Sequence, residues 1–239
     1  MRVVVSQSMY FPWVGLFEQI GLADIFVHYD DVQFTRGFFN RVQIKTKDGI
    51  QWLTVPLRKH HRGQLIDSIE IDESIDWRGE HRESLRRAYA RAPFCNEMLS
   101  IVDEVFGCRH SMLAEVARAS MLRVARYFGI MEGKEFRSSS DMHIDGSSSQ
   151  RLFDICRTLK AEVYVTGHGA KGYLDHPLFA SSGIGVEYMN YEKRPYRQLH
   201  GEFSPFVSCL DLIANCGVAG RAVICSKSIP WETFINESA

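Results

Sequence analysis

The first 32 residues constrain the fold of this chain more than any other segment. A short apolar run at 1–7 predicts a β-strand, and Pro12 stands at the start of a predicted helix over 12–22, where proline is favoured. A second apolar run, at 24–32, predicts another strand. Strand, helix and strand in so short a span form a βαβ unit, whose strands are parallel and whose crossover is right-handed.

A hairpin and a helical block interrupt this pattern. Alternating apolar residues at 42–44 and 52–55 flank Asp48-Gly49, a strong turn dipeptide for a β-hairpin. A third short strand is predicted at 66–71. Apolar residues at helical spacing then predict helices over 74–90, 96–106 and 111–128.

Alternation of helix and strand returns in the second half of the chain. One helix is predicted from the residue after Ser149 through Leu159 and another at 204–216, with strands at 161–166 and 186–191. The prediction is an α/β fold with a Rossmann-like, open, mostly parallel sheet. We expect a single domain over 1–239, with an antiparallel β-hairpin insertion at 35–72 and a helical block at 74–130.

Composition excludes several classes of protein. The 45% hydrophobic and 24% charged fractions are ordinary globular values. The near balance of 28 Lys+Arg against 29 Asp+Glu argues against a general nucleic-acid coat protein. No apolar stretch approaches the ~18 residues of a transmembrane helix, and the N-terminal apolar run is too short for a signal peptide. We therefore expect a cytoplasmic protein.

The six cysteines favour core packing over a metal site. None of them forms a C-x-x-C pair, and zinc sites usually need such close pairs. Scattered cysteines in a cytosolic protein are mostly small core hydrophobes. Cys209 is the best placed of the six for a reactive thiol.

Polar residues follow the first predicted strand. In an open α/β sheet, ligands bind beyond the carboxyl ends of the strands. Gln7, Ser8 and Tyr10 lie at this position and could orient a substrate through neutral hydrogen bonds. The alternative is a tight strand–helix turn with Trp13 and Phe17 in the core.

Two adjacent carboxylates, Asp30 and Asp31, follow the second predicted strand. Adjacent strand residues point to opposite faces, so we expect one of the two to face a site. A carboxylate there could accept a proton from an amine or a hydroxyl. It could also hold a magnesium ion. A solvated pair at the edge of the sheet is the alternative.

The segment between Thr35 and Gly63 has a local excess of positive charge. One acid, Asp48, stands against seven cations, which are Arg36, Arg41, Lys45, Lys47, Arg58, Lys59 and Arg62. A hairpin carrying these residues would suit phosphate or carboxylate recognition. A solvated hairpin is the alternative.

A glycine-rich segment follows the predicted strand at 161–166. It reads Gly167-His168-Gly169-Ala170-Lys171-Gly172, and its glycines permit close backbone approach to a ligand. It lacks the Gly-Lys-Ser/Thr ending of a Walker A loop. His168 is a candidate acid–base group, and a flexible substrate loop or a plain turn is the alternative.

Several strings of the sequence together resemble the WbqC-like protein family. They are residues 7–15 (Gln-Ser-Met-Tyr-Phe-Pro-Trp-Val-Gly), 30–34 (Asp-Asp-Val-Gln-Phe), Asn40-Arg41, Ile44-Lys45, 52–56 (Trp-Leu-Thr-Val-Pro), 164–167, Tyr173-Leu174, 196–198 and 203–206. The resemblance implies a role with the enzymes that build surface polysaccharides such as O-antigen, or in natural-product pathways. It also implies attachment of an aminoacyl group, such as glycine, to an amino sugar.

The strand exits, the cationic hairpin and these strings together give the candidate site residues. The substrate-binding candidates are Gln7, Ser8, Tyr10, Gln33, Asn40, Arg41, Lys45, Trp52, Gly167, Tyr173 and Gln198. The catalytic candidates are Asp30, Asp31 and His168, and no metal ligand is predicted.

The N-terminal architecture is also similar to that of adenylate-forming, nucleotidyltransferase-like folds. Those folds carry His-x-Gly-His at the first turn, where this chain has Pro12-Trp13-Val14-Gly15. The missing histidines argue against α-phosphate chemistry by that route.

The leading hypothesis is acyl or aminoacyl transfer to an amine of a nucleotide-linked sugar or a related small molecule. Arg41 and Lys45 would hold phosphate, and ATP with magnesium is a candidate cofactor. The expected partner is an anionic or phosphorylated small molecule, with no membrane partner and no nucleic acid other than tRNA as an acyl donor. The alternatives are an ATP-dependent adenylating ligase, a non-catalytic binding protein and a nucleic-acid-binding module that uses the cationic hairpin.

Overall fold

The computed structural model describes residues 1–35, 37–225 and 227–237. Eight strands are present in this part of the chain, namely β1 (Arg2–Ser6), β2 (Ile25–His28), β3 (Arg41–Thr46), β4 (Gly49–Thr54), β5 (Glu135–Ser138), β6 (Val163–Thr166), β7 (Gly185–Asn190) and β8 (Lys227–Pro230). Six of them form one sheet in the order β5-β2-β1-β6-β7-β8, while β3 and β4 form a separate two-stranded sheet.

Eight α-helices accompany the two sheets in the described residues. They are α1 (Val14–Gly21), α2 (Trp77–Tyr89), α3 (Cys95–Gly107), α4 (Leu113–Tyr127), α5 (Ser148–Thr158), α6 (His176–Ala180), α7 (Cys209–Cys216) and α8 (Trp231–Glu237). The arrangement confirms the predicted α/β class, the mostly parallel sheet and the hairpin. The structure has no helix that is long and apolar enough to span a membrane, among the residues searched.

The N-terminal βαβ unit forms as its apolar pattern predicts. Strand β1 pairs in parallel with β2 on one side and with β6 on the other. Val3 and Val4 are fully buried because β1 lies between neighbouring strands and its two side-chain faces contact different apolar clusters. A central parallel strand of this kind is apolar on both faces.

The hairpin forms as predicted, but the third strand predicted at 66–71 is wrong. Strand β3 pairs antiparallel with β4, and Gln43 lies opposite Trp52. Residues Ile66–Ser68 form a short 3-10 helix instead of a strand. The backbone N–H of Ile66 donates to the Val32 carbonyl at 3.0 Å, so this segment is held by the loop after β2.

The helical block forms an apolar core beside the sheet. Trp77, Leu85, Val102 and Met121 are each at most 1% exposed. The carboxylate of Asp76 accepts the Gly79 N–H at 3.1 Å and caps the N-terminus of α2.

The chain after residue 133 departs from the prediction in three places. The polar stretch there contains the edge strand β5, and the described C-terminal residues form β8, antiparallel to β7, and α8. The helix predicted from Ser204 begins at Cys209, with Ser208 as its N-cap. Ser204 lies in the preceding loop, where its backbone N–H donates to Gln198 Oε1 at 2.9 Å.

Candidate functional site

The chain reverses its winding direction between β1 and β6. From β1 the chain passes through α1 to β2 on one side, whereas from β6 it passes to β7 on the other side. In open α/β sheets, this switch point is where ligands bind, beyond the carboxyl ends of the strands. A cleft of about 720 Å³ lies at this position, and we refer to it as the switch-point cleft.

The walls of the switch-point cleft come from both sides of the switch. Ser6 and Gln7 leave β1, while Thr166, Gly167 and His168 leave β6. The volume is within the range of about 300–1,000 Å³ that is typical of small-molecule sites.

His168 is held in one orientation at the rim of the cleft. Its Nε2 lies 2.7 Å from the carbonyl oxygen of Met189, and a carbonyl can only accept, so Nε2 carries the hydrogen. The ring packs against Phe234, with centroids 4.8 Å apart. In the neutral ring, Nδ1 then carries the free lone pair that a general base requires.

Three aromatic rings form one wall of the cleft. The ring centroids of Trp13 and Tyr191 are 4.7 Å apart, and those of Trp13 and Phe206 are 5.8 Å apart. The ammonium of Lys193 lies 5.2 Å from the Phe206 centroid. The planes of Trp13 and Tyr191 meet at 77°, so this wall offers an apolar surface of edge-packed rings beside a cation.

The charge of the cleft favours an anionic ligand. Lys193 lines it, and none of the described lining residues is an aspartate or a glutamate. Gln7 and Gln19 supply amide groups. Burial raises the pKa of Tyr29, so this phenol lines the cleft in its neutral, hydrogen-bonding form.

The position of the Trp13 indole leaves no room for a side chain at Gly15, near the start of α1. A Cβ added at Gly15 would lie 2.1 Å from Cζ3 of the Trp13 indole, well inside van der Waals contact. The indole therefore lies directly on the backbone of the first helical turn, and a side chain at position 15 would displace it.

Asp30 lies outside the cleft in a buried hydrogen-bond network. Its carboxylate, 0% exposed, accepts the Ser8 N–H and the Ser8 hydroxyl, both at 2.8 Å, and the Arg118 Nε–H at 2.6 Å. The Ser8 hydroxyl also contacts His28 Nδ1 at 2.9 Å. These contacts use both carboxylate oxygens and favour a structural role for Ser8 and Asp30.

The Ser8, His28 and Asp30 side chains do not form the geometry of a catalytic triad. The serine lies between the other two groups, whereas a triad has the histidine in the centre. Burial lowers the pKa of His28 to about 4, so the imidazole is neutral at pH 7.

Asp31 is also paired, but it supports the cleft. Its carboxylate binds the Arg151 guanidinium and the Ser139 hydroxyl. The Arg151 guanidinium in turn lies 4.9 Å from the ring centroid of Tyr29, which lines the cleft. Asp31 therefore fixes an arginine that packs on a cleft tyrosine, and its contacts do not favour the role of proton acceptor.

Tyr10 is part of the core and does not reach the cleft. Its ring is 1% exposed, and its hydroxyl lies 3.0 Å from His81 Nδ1. Burial raises the pKa of Tyr10 well above its ordinary value.

Other candidates lie on or beside the hairpin, away from the cleft. The Arg41 guanidinium lies 4.4 Å from the Trp52 ring centroid. Asn40 donates to the Val55 carbonyl at 3.0 Å, and Gln33 is exposed beside Leu65. Arg36 lies outside the described residues.

Lys45 and Gln198 contact each other in a second buried polar cluster. The Lys45 ammonium donates to Gln198 Oε1 at 3.1 Å, and Lys45 is only 4% exposed. Asp211, fully buried nearby, accepts the Tyr196 hydroxyl at 2.9 Å. Lys45 is thus held inside the protein and is not available to bind phosphate in the cleft.

The structure therefore brings together four of the predicted site residues. Gln7, Gly167, His168 and Tyr173 all line the switch-point cleft. Other lining residues were not predicted, namely Gln19, Tyr29, Lys193 and Phe206. Two of them carried a sequence signal. Tyr29 stands at the exit of β2 directly before the aspartate pair, and Phe206 ends the 203–206 string that resembles the family.

Cys209, the predicted candidate for a reactive thiol, does not reach the cleft. Cys209 is fully buried, and burial raises its thiol pKa, which makes it unreactive. Among the described residues, no cluster of three or more His, Cys, Asp or Glu side chains is placed to hold a metal ion.

Comparison with known sequences identifies the family. Residues 7–223 match the WbqC-like protein family. The chain belongs to this family. The WbqC-like match includes the β1 exit, the hairpin, the glycine-rich segment and all the cleft residues from Gln7 to Phe206.

One relative of this chain can be compared over nearly its whole length. The Mycobacterium tuberculosis protein described as "Uncharacterized protein Rv1507c" is 34% identical over 220 residues, covering 90% of this chain and 94% of the relative. No solved structure matches the chain with significance.

Proposed function

We propose that this WbqC-like protein is a group-transfer enzyme. It transfers an acyl or aminoacyl group, for example glycyl, to an amine of a nucleotide-linked sugar or a related small molecule. The observation that carries the proposal is the fixed orientation of His168, whose Nε2–H is held by the Met189 carbonyl at the switch-point cleft. A base with a defined tautomer at a ligand cleft suits proton transfer from an attacking amine.

Different residues of the cleft would contact different parts of such a substrate. The aromatic wall of Trp13, Tyr191 and Phe206 suits a nucleobase, and Lys193 suits its phosphate. The amides of Gln7 and Gln19 would donate hydrogen bonds to sugar hydroxyls or to the oxygen of the acyl group.

The proposed step is an acyl substitution. The amine nitrogen forms a bond to the carbonyl carbon of the donor, and Nδ1 of His168 takes the proton that the nitrogen loses. The carbonyl oxygen carries the negative charge until the bond to the leaving group breaks. The leaving group then receives the proton from His168, which returns the imidazole to its neutral form.

The test is product formation from defined donors and acceptors. Uridine- and thymidine-diphosphate amino sugars would be incubated with glycine plus ATP and magnesium, with a glycyl thioester, or with glycyl-tRNA. Mass spectrometry would detect the gain of one glycyl residue. We expect a glycylated product with one of the three donors. If only the reaction with glycine, ATP and magnesium proceeds, and it releases AMP or pyrophosphate, the result would instead support the adenylating ligase.

His168→Gln tests the basic nitrogen of His168 without removing the hydrogen bond that orients this side chain. Glutamine can keep the hydrogen bond to the Met189 carbonyl but has no basic nitrogen, so we expect kcat to fall by about 10²- to 10⁴-fold. His61→Gln, the same substitution in the exposed loop after β4, is the control. Unchanged turnover in His168→Gln would remove His168 from the mechanism, and sugar-nucleotide binding without any product would favour a non-catalytic binding protein.

A further inference from the structure

The proposed cleft leaves the charge of the hairpin region unexplained. Residues 37–64 contain one acid, Asp48, and six cations, in a chain with 28 cations and 29 acids overall. Lys45 is buried, and Arg58 pairs with Glu70 at 2.9 Å. The other four cations are exposed and form no ion pair with the residues that the structure describes; they are Arg41, Lys47, Lys59 and Arg62.

Exposed aromatic rings lie beside one of these cations. The ring centroids of Phe38 and Trp52 are 5.6 Å apart, and the Arg41 guanidinium lies 4.4 Å from the Trp52 centroid. Phe38 is 48% exposed and Trp52 is 36% exposed, although both are large apolar side chains. Aromatic rings combined with arginine are the surface on which unpaired bases stack.

A basic groove of about 720 Å³ lies at the turn of the same hairpin. Lys47 from the turn and Arg87 and Arg91 from the end of α2 line it, together with His200. Asp48 is the single acid among its described lining residues. Arg87 contacts Glu83 at a long 3.4 Å, whereas Lys47 and Arg91 form no ion pair among the described residues. This groove suits phosphate groups.

Strand β4 connects the groove to the aromatic rings. Gln51 lines the groove, and the neighbouring Trp52 points to the opposite face of the strand. Five of the six β4 residues are exposed, none is charged, and β4 pairs only with β3 among the described strands. From Gly49 to Trp52 the strand rises about 10 Å. A single extended chain that crosses this open edge can therefore contact the groove on one face and the rings on the other.

We propose that the hairpin surface (Phe38, Arg41, Lys47, Trp52, Arg87 and Arg91) binds single-stranded RNA. Backbone phosphates would occupy the basic groove, and an unpaired base would stack on Trp52 and Phe38. The surface is separate from the switch-point cleft, although Ser208, two residues after Phe206, donates its N–H to the Gln43 carbonyl at 2.8 Å. This binding does not depend on the proposed reaction. If the protein both binds RNA and transfers an acyl group, RNA binding favours aminoacyl-tRNA among the candidate acyl donors.

The test is fluorescence anisotropy of the full chain with a short fluorescein-labelled oligouridylate. We expect binding that weakens as salt rises from about 50 to 200 mM, with a linear log–log dependence. A duplex RNA of equal length should bind more weakly, because its bases are not free to stack. Equal affinity for the duplex would overturn the proposal.

Two variants test the two parts of the surface. Trp52→Leu should weaken oligouridylate binding at least about fivefold, the lower limit for loss of one stacked base. Lys47→Gln combined with Arg91→Gln should reduce the magnitude of the salt slope by ~1.4. Arg126→Gln removes an exposed cation from α4, outside the hairpin surface, and should leave binding unchanged.

The same measurements identify an acidic protein partner in place of RNA. Polyglutamate would then compete as well as unlabelled oligouridylate, and Trp52→Leu would have no effect on binding. That result would overturn the proposal. A protein that does not bind RNA could still transfer an acyl group from a donor that is not RNA. The RNA-binding proposal and the acyl-transfer proposal are therefore tested independently.

Discussion

At the scale of single residues, the shape of the cleft depends on Gly15, a residue without a side chain. The indole of Trp13 occupies the space that a side chain at Gly15 would need. The aromatic wall of the cleft is therefore set by the absence of a Cβ at one helical position.

Gly15→Ala should displace the Trp13 indole and destabilise the protein. We expect a loss of about 1–3 kcal/mol, because an added methyl in a packed site forces neighbouring groups to move. Urea unfolding and tryptophan fluorescence would measure the two effects.

Gly21→Ala, at the other end of the same helix, is the matched control. A Cβ there meets nothing within 4 Å, so the substitution should be neutral or stabilise by up to about 1 kcal/mol. Equal effects of the two substitutions would contradict the packing argument.

At the scale of elements, two arginines hold the exit of β2. Arg118 from α4 binds Asp30, and Arg151 from α5 binds Asp31. The arginine side chains differ in burial, at 28% and 8% exposed respectively. The loop after β2 is thus attached to helices on both sides, which explains why adjacent carboxylates have separate partners.

Arg151→Met should destabilise the protein by about 3 kcal/mol. The substitution leaves the Asp31 carboxylate, 15% exposed, without its cation, and breaking a buried pair from one side is costly. Adding Asp31→Asn should recover part of the loss, because the uncompensated charge is then gone. Urea unfolding of the two single variants and the double variant would measure the coupling, and additive losses would show that the pair does not interact.

At the scale of the whole molecule, buried titratable groups couple folding to pH with opposite signs. Burial lowers the pKa of His28 and of His81 to about 4. Burial also raises the pKa of Asp211 to about 6. As pH falls from about 6.5 to 4, the unfolded chain therefore gains protons at the two histidines, while the folded chain gains one at Asp211.

His81→Gln should make the protein less sensitive to acid. Each histidine costs about 1–2 kcal/mol of stability at pH 5, because only the unfolded state is protonated there. The wild type should therefore lose more stability than His81→Gln between pH 7 and pH 5, as measured by urea midpoints.

Asp211→Asn is a control that should change the acid sensitivity of folding in the opposite direction. Below pH 6, protonation of folded Asp211 adds stability that the variant lacks. Its loss on acidification should therefore exceed that of the wild type. Parallel pH curves for the wild type and both variants would show that neither group is coupled to folding.

The sequence by itself determined the βαβ start, the mostly parallel sheet, the hairpin and four residues of the cleft. These follow from local apolar periodicity and from turn residues, which act between neighbours in the chain. Only the tertiary structure decided which charged residues are free to bind a ligand. Asp30 and Asp31 looked available because their partners, Arg118 and Arg151, are 88 and 120 residues away. Pairing of buried charges depends on distance in space, and spacing along the chain does not reveal it.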